Sequence, residues 1–81
     1  MKRLIVIYRL PSTRPYLTVY ITPIDSRDHN NLVVWLALVT TVAPQFRGHT
    51  GEVYCMLTSD DMDLLLEHFP GSEIEEIWGD W

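Results

Sequence analysis

The chain contains one cysteine and three histidines, the side chains best suited to nucleophilic catalysis or metal binding. Cys55 and His49 are the one nucleophile–base pair to consider, because a cysteine attacks as its thiolate and needs a base or a lowered pKa. Cys55, however, lies between apolar neighbours in a predicted strand, which is typical of a small buried hydrophobe. The spacing of His29, His49 and His68 is not that of metal ligands. We therefore expect no catalytic residue, no metal site and no cofactor.

A block of carboxylates occupies the last third of the chain. Residues 51–81 contain nine Asp and Glu and no Lys or Arg, whereas residues 1–50 contain all six Lys and Arg and two Asp. With histidine neutral, the two parts carry net charges of −9 and +4, and the whole chain carries −5. This division predicts one strongly negative surface and a weaker positive one, and therefore a protein that binds charged partners.

The acids follow a pattern within the predicted elements. Asp60, Asp63 and Glu67 are spaced i, i+3, i+7 and share one side of a predicted helix. Three glutamates follow without a cation close in sequence, and their mutual repulsion costs stability that a basic partner would relieve. Three hypotheses account for the block: a docking surface for a basic site on another protein, mimicry of nucleic-acid phosphates, or a solvated face whose first-turn acids cap the helix.

Tryptophans at the end of the chain add apolar groups to this acidic region. Trp35 lies in an apolar segment and is expected in the core, whereas Trp78 and Trp81 stand among acids. Tryptophan is enriched at binding hot spots, so both are candidate anchors for a partner. The alternative is that Trp78 folds back as a lid on a small core. The predicted partner-binding residues are Asp60, Asp63, Glu67, Glu73, Glu75, Glu76, Trp78, Asp80 and Trp81.

The arginines are scattered through the first half of the chain. Arg9, Arg14 and Arg27 are expected either to gather at one end of a hairpin or to pair with the acidic half, within one chain or between two copies. The sequence around them lacks the aromatic and glycine motif of an RNA-binding sheet. Together with the net charge of −5, this argues against direct binding to nucleic acid or to an anionic membrane.

Length and composition predict a single domain over residues 1–81. One cysteine allows no intrachain disulfide, whereas a small secreted domain usually needs several, so we expect a cytoplasmic protein, or one in the host cytoplasm if it is phage-encoded. The longest apolar run, Leu32–Val39, has eight residues, and a membrane-spanning helix needs roughly twenty. The short apolar run after Lys2 and Arg3 is likewise not that of a signal peptide.

Local patterns predict four strands and one or two helices. Residues 2–10 and 16–23 alternate as strands around a proline-rich turn, and residues 52–57 form a third strand. A helix begins at Thr58 or Ser59 and ends at Pro70. Residues 32–43 suit either a helix or a strand, and their length favours the helix. Residues 73–78 suit either a helix or an edge strand, and we favour the edge strand. The order β-β-α-β-α-β predicts an α+β two-layer sandwich with a mostly antiparallel sheet.

Charge and size together favour a small non-enzymatic protein that binds another protein with a basic surface. It would act as an inhibitor or adaptor through its acidic C-terminal half, in the manner of a compact phage inhibitor of host machinery or a nucleic-acid mimic. The alternative is a homodimer or an accessory structural subunit of a larger assembly. The uncharged segment 32–43 motivates this alternative, since an 81-residue core has little capacity to cover it completely.

Overall fold

The computed structural model describes residues 1–39, 45–47 and 51–79. Its elements are β1 (Leu4–Arg9), β2 (Leu17–Thr22), α1 (Ser26–Val39), β3 (Gln45–Arg47), β4 (Glu52–Leu57), α2 (Ser59–His68) and β5 (Glu73–Trp78). A short 3₁₀ turn, Pro11–Thr13, joins β1 to β2. The predicted α+β class and order of elements are confirmed, with the short strand β3 added between α1 and β4.

The strands form one sheet in the order β3-β4-β2-β1-β5. The pairs β1–β2, β2–β4 and β3–β4 are antiparallel, and β1–β5 is parallel. The parallel pair arises because α2 carries the chain from β4 across the sheet to the far edge, whereas antiparallel neighbours need only a tight connection. The prediction of a mostly antiparallel sheet is therefore confirmed.

Alternating side chains give the sheet one face that packs against both helices. On β1, Ile5 and Ile7 are buried, whereas Leu4, Val6 and Tyr8 are only partly buried. Leu32 and Leu36 of α1 and the buried stripe of α2 close the core from the other side. Burial of each aliphatic side chain is worth about 1.5–3 kcal/mol. The core comprises Ile5, Ile7, Leu17, Val19, Ile21, Leu32, Leu36, Val53, Cys55, Leu57, Met62, Leu65 and Phe69.

Helix α2 begins and ends where the sequence predicts. The Thr58 side chain accepts a hydrogen bond of 3.2 Å from the Asp61 backbone N–H, which satisfies one donor of the first turn. Asp60 and Asp61 lie in that turn, where the helix dipole favours negative charge. At the other end Gly71 adopts a φ of +80°, a left-handed conformation that glycine reaches without strain.

Helix α1 begins earlier than the sequence analysis predicted. The polar character of residues 24–31 predicts a loop, but the helix starts at Ser26 because the Asp25 carboxylate accepts a hydrogen bond of 2.8 Å from the Asp28 N–H. The choice between helix and strand for residues 32–43 is settled as helix up to Val39. Residues 40–43 lie outside the described part of the chain. The strand favoured for residues 73–78 is confirmed as β5.

A buried guanidinium joins three separate parts of the fold. Arg3 is only 7% exposed, and its Nη2 and Nε donate hydrogen bonds of 2.6 and 2.9 Å to the two carboxylate oxygens of Asp28 in α1. Its Nη1 donates to the Phe69 carbonyl and to Ser72 Oγ, both in the connection between α2 and β5. The guanidinium also lies 5.0 Å from the centre of the Phe69 ring. Each nitrogen of this buried cation is therefore hydrogen-bonded.

Replacing Asp28 with Asn is expected to destabilise the protein by about 3 kcal/mol, because the Arg3 charge stays buried without its counterion. Chemical denaturation measures the change in the free energy of unfolding. The matched control is Glu76→Gln, which removes a carboxylate from the exposed Arg9–Glu76 pair and should cost less than about 1 kcal/mol. Equal losses in the two variants would contradict a central role for the Arg3–Asp28 pair.

The same pair predicts a dependence of stability on pH. Burial raises the pKa of Asp28, but hydrogen bonds from Arg3 and from the Ile24 N–H, with the Arg3 charge, outweigh it and hold the pKa below its usual 3.8. Since the folded pKa lies below the unfolded one, this stabilisation is present above about pH 4 and is lost as the pH falls further. The free energy of unfolding should fall more steeply from about pH 5 to about pH 2 in the wild type than in Asp28→Asn. Identical slopes would contradict this assignment.

Candidate functional site

The outer side of helix α1 is apolar although it faces solvent. Val34 and Leu38 are spaced i, i+4, opposite the buried Leu32 and Leu36, and Leu38 is 81% exposed. A helix at the surface of a globular protein usually carries polar residues on this side. Val39 near the end of α1 and Leu64 on α2 are exposed as well. These side chains form an apolar surface that the described residues leave exposed.

Between the two helices this surface deepens into a groove. A cavity of about 570 Å³ reaches Val34 and Leu38, and a neighbouring cavity of about 400 Å³ reaches Val39 and Leu64. Trp35 and His68 line both cavities, so the two adjoin at these residues. We name this feature the helical groove and define it by Val34, Trp35, Leu38, Val39, Leu64 and His68.

Aromatic contacts hold the floor of the helical groove in place. The rings of Trp35 and His68 stack with centres 5.5 Å apart and planes inclined by 21°. Phe69 meets both rings edge-on, with its centre 5.9 Å from Trp35 and 5.0 Å from His68. Such pairs contribute about 0.5–1.5 kcal/mol beyond the area they bury, so the groove is a formed surface that needs little rearrangement to receive a partner.

The rim of the helical groove on the α2 side is acidic. Glu67 lines the smaller cavity, and Asp60 and Asp63 are exposed on the same helix. Helix α2 contains no Lys or Arg. The cation beneath the larger cavity, Arg3, is already paired with Asp28. A ligand in this groove would therefore meet apolar side chains at the centre and negative charge along one edge.

The predicted partner-binding acids within the described part of the chain are exposed, but the structure does not place them on one surface. Three lie together on the solvent side of α2, namely Asp60, Asp63 and Glu67. On β5, neighbouring side chains point to opposite faces of the sheet. Glu75 is in register with Val6 and therefore lies on the face away from the helices, together with Glu73, whereas Glu76 lies on the helix side. Strand alternation thus divides the C-terminal acids into separate groups.

Trp78 is 72% exposed, so the interpretation of its side chain as a lid on the core is wrong. The Arg9 guanidinium lies 5.0 Å from the centre of the indole ring and also pairs with Glu76 at 3.2 Å. The expectation that the C-terminal glutamates lack a neighbouring cation is therefore wrong for Glu76, because parallel pairing with β1 brings Arg9 beside it. The predicted residues Asp80 and Trp81 lie outside the described part of the chain.

Two of the three scattered arginines come together at the turn of the hairpin. Arg9 and Arg14 line a cleft of about 280 Å³ with Tyr16 and Trp78. Arg27 follows the end of β2 that pairs with the start of β1, so it lies at the opposite end of the hairpin. The predicted cationic patch therefore contains two arginines, one of which is already paired with Glu76.

Cys55 lies in the core, as the sequence predicts for a buried hydrophobe. Its side chain is 1% exposed, and burial raises the pKa of the thiol to about 12. The fraction of reactive thiolate at neutral pH is consequently very small. Its proposed partner as a base, His49, lies outside the described residues.

Native Cys55 is expected to resist alkylation by iodoacetamide at about pH 8, because the protein must open before a thiolate forms. The reaction is followed by the mass increase of the intact protein. In denaturant the same thiol should react within minutes, which serves as the control. Equal rates in the two conditions would mean that Cys55 is accessible in the folded protein.

Residues 1–39, 45–47 and 51–79 contain neither a cluster of metal ligands nor a helix that could cross a membrane. No group of three or more His, Cys, Asp or Glu side chains is placed to hold a metal ion. Neither helix is long and apolar enough to cross a membrane.

Comparison with known proteins finds no match for this chain: no protein-family model, no curated protein and no solved structure is significantly similar to it. What the protein does is therefore inferred from its own residues and contacts. The helical groove is the feature that sequence reasoning missed. The i, i+4 spacing of Val34 and Leu38 was visible, but in a segment without charges both sides of the helix are equally apolar.

Proposed function

We propose that this protein is a small protein-binding module whose docking site is the helical groove. The observation that carries the proposal is the exposure of Leu38 and its apolar neighbours beside a groove whose aromatic floor is already packed. Exposed apolar surface costs free energy in water, and a partner that covers it recovers that free energy.

An amphipathic helix of another protein is the partner that this groove fits best. Grooves between two helices receive a third helix through apolar residues at i, i+3, i+4 and i+7. The acidic rim formed by Asp60, Asp63 and Glu67 favours Lys and Arg on the flank of such a helix. The proposed partner therefore still has a basic surface, as the sequence analysis infers. The α2 acids would attract its charge, and the groove would supply the apolar contact.

Steric occlusion is the mechanism we propose, because a chain of 81 residues has one small core and its proposed docking site is a surface groove. A partner whose helix is held in the groove loses that helix for its other interactions, which makes the module an inhibitor, or an adaptor where the partner is recruited. The absence of an intrachain disulfide fits action in the cytoplasm. The division of the acids between two faces of the sheet gives no support to phosphate mimicry.

The second candidate function is a homodimeric or accessory subunit that uses the same surface. The exposed apolar side of α1 favours this candidate, because two copies of α1 would cover each other's Val34 and Leu38. The two candidates differ in the occupant of the groove, so one substitution tests both.

Leu38→Glu is expected to abolish docking while changing the free energy of unfolding by no more than about 0.5 kcal/mol, because the side chain is exposed and lies outside the core. Ala37→Glu is the matched control: it adds the same charge one residue away, on an exposed position that does not line the groove. Partners captured by the wild type are identified by mass spectrometry, purified and titrated calorimetrically against the three proteins.

Calorimetry and sedimentation equilibrium together decide between the candidates. Binding that Leu38→Glu abolishes and Ala37→Glu retains supports the module. A solution mass near twice 9.4 kDa that Leu38→Glu reduces to the monomer supports the homodimer. If both variants bind and sediment like the wild type, the helical groove is not the docking site.

A further inference from the structure

Among the described residues, the face of the sheet that points away from the helices is partly exposed, and it carries aliphatic and aromatic side chains beside threonines and glutamates. Because both helices pack on the same face as Ile5 and Ile7, the alternate residues of each strand point outward. Antiparallel sheets with one solvated face normally carry polar residues there. We name this outward face of β1, β2, β4 and β5 the tyrosine face; it carries Leu4, Val6, Tyr8, Thr18, Tyr20, Thr22, Glu52, Tyr54, Met56, Glu73, Glu75 and Ile77.

Three tyrosine rings cross the centre of this face in a row. The centres of the Tyr8 and Tyr20 rings are 5.5 Å apart, and those of Tyr20 and Tyr54 are 5.0 Å apart. All three side chains are partly exposed. The faces of aromatic rings attract cations, with a preference for the planar guanidinium of arginine. The end of the row at Tyr8, on the strand beside β5, is thus a position where a cation can stack.

The charge beside this position is negative. Val6 is in register with Tyr20 on one neighbouring strand and with Glu75 on the other. Glu75 therefore lies on the outward face, in line with Val6 and Tyr20 across the strands. Glu75 also lies diagonally from Tyr8, which is in register with Ile77, and such diagonal neighbours are about 7–8 Å apart. An arginine stacked on Tyr8 would therefore be within reach of the Glu75 carboxylate.

The outward positions of β1, β2, β4 and β5 include no Lys or Arg. Arg9, the cation of β1, alternates to the other face and pairs there with Glu76. On β5, at one edge of the sheet, the outward carboxylates are Glu73 and Glu75.

From this arrangement we propose that the tyrosine face is a second binding surface, which takes an extended, arginine-bearing peptide segment of a partner protein. Tyrosine rings hold the guanidinium groups by cation–π contact, and Glu75 neutralises their charge. Single-stranded nucleic acid also stacks on aromatic rows, but its phosphates would face Glu73 and Glu75 without a cation on these strands to pair with them. A second copy would bring the same glutamates together. This surface lies on the opposite side of the sheet from the helical groove and does not depend on it.

The probe is a fluorescein-labelled heptapeptide of alternating arginine and serine, titrated by fluorescence anisotropy at about 50 mM and about 300 mM salt. A peptide with citrulline in place of arginine keeps the shape and removes the charge. We expect the arginine peptide to bind and the citrulline peptide not to bind. Tyr8→Leu and Glu75→Gln should each weaken binding about two- to fivefold, while Tyr8→Phe, which keeps the ring, should bind like the wild type.

Control variants separate this surface from a general attraction to acidic protein. Asp63→Asn removes one exposed carboxylate from α2 on the other side of the sheet, and Leu38→Glu disrupts the helical groove; neither should weaken binding of the arginine peptide. Thermal unfolding establishes that each variant is folded, and Glu75→Gln, an exposed substitution, remains informative if Tyr8→Leu does not fold.

Three results would overturn the proposal. The first is no binding of the arginine peptide, or equal losses in Asp63→Asn and Glu75→Gln. The second is binding of a deca-uridine RNA that Tyr8→Leu abolishes, which would assign the face to nucleic acid. The third is a dimer that dissociates in Tyr8→Leu, which would assign the face to a second copy.

Discussion

The ion pair between Arg3 and Asp28 is the interaction on which the arrangement of the layers depends. It joins the residue before β1, the first turn of α1 and the connection that leads from α2 into β5. A buried guanidinium is tolerated only where its charge is paired and its donors are satisfied, so these three segments have one favourable arrangement. That arrangement places both helices on a single face of the sheet, and it positions Phe69 beneath the floor of the helical groove.

Placing both helices on one face has a direct consequence for function. A two-layer protein of this size covers one side of its sheet and the inner sides of two helices, and among the described residues no third layer covers what remains. Two exposed surfaces with apolar or aromatic side chains are left, the helical groove on one side and the tyrosine face on the other. Each has carboxylates beside it, from α2 in the first case and from β5 in the second. The proposed partners of both surfaces are basic for this reason.

Local periodicity explains why much of the fold was predictable. Alternation in β1, β2 and β4 and the cap of α2 at Thr58 depend on neighbours within a few residues, so the sequence alone reveals them. The start of α1 was missed because several residues between 24 and 31 are suitable caps, and the hydrogen bond from the Asp28 N–H to Asp25 selects one of them. The strand β3 is defined by its pairing with β4, and three residues are too few to show a strand pattern in the sequence.

The sequence by itself determined the α+β class, the buried character of Cys55 and the exposure of the C-terminal acids, because side-chain polarity and its period decide these properties. Tertiary structure decided which side chains stand together. The parallel register of β5 on β1 sends Glu73 and Glu75 to one face and Glu76 to the other, beside Arg9. Antiparallel pairing of β2 with β4 aligns Tyr20 with Tyr54. Register is set by contacts between residues distant along the chain, and no local pattern within one strand contains that information.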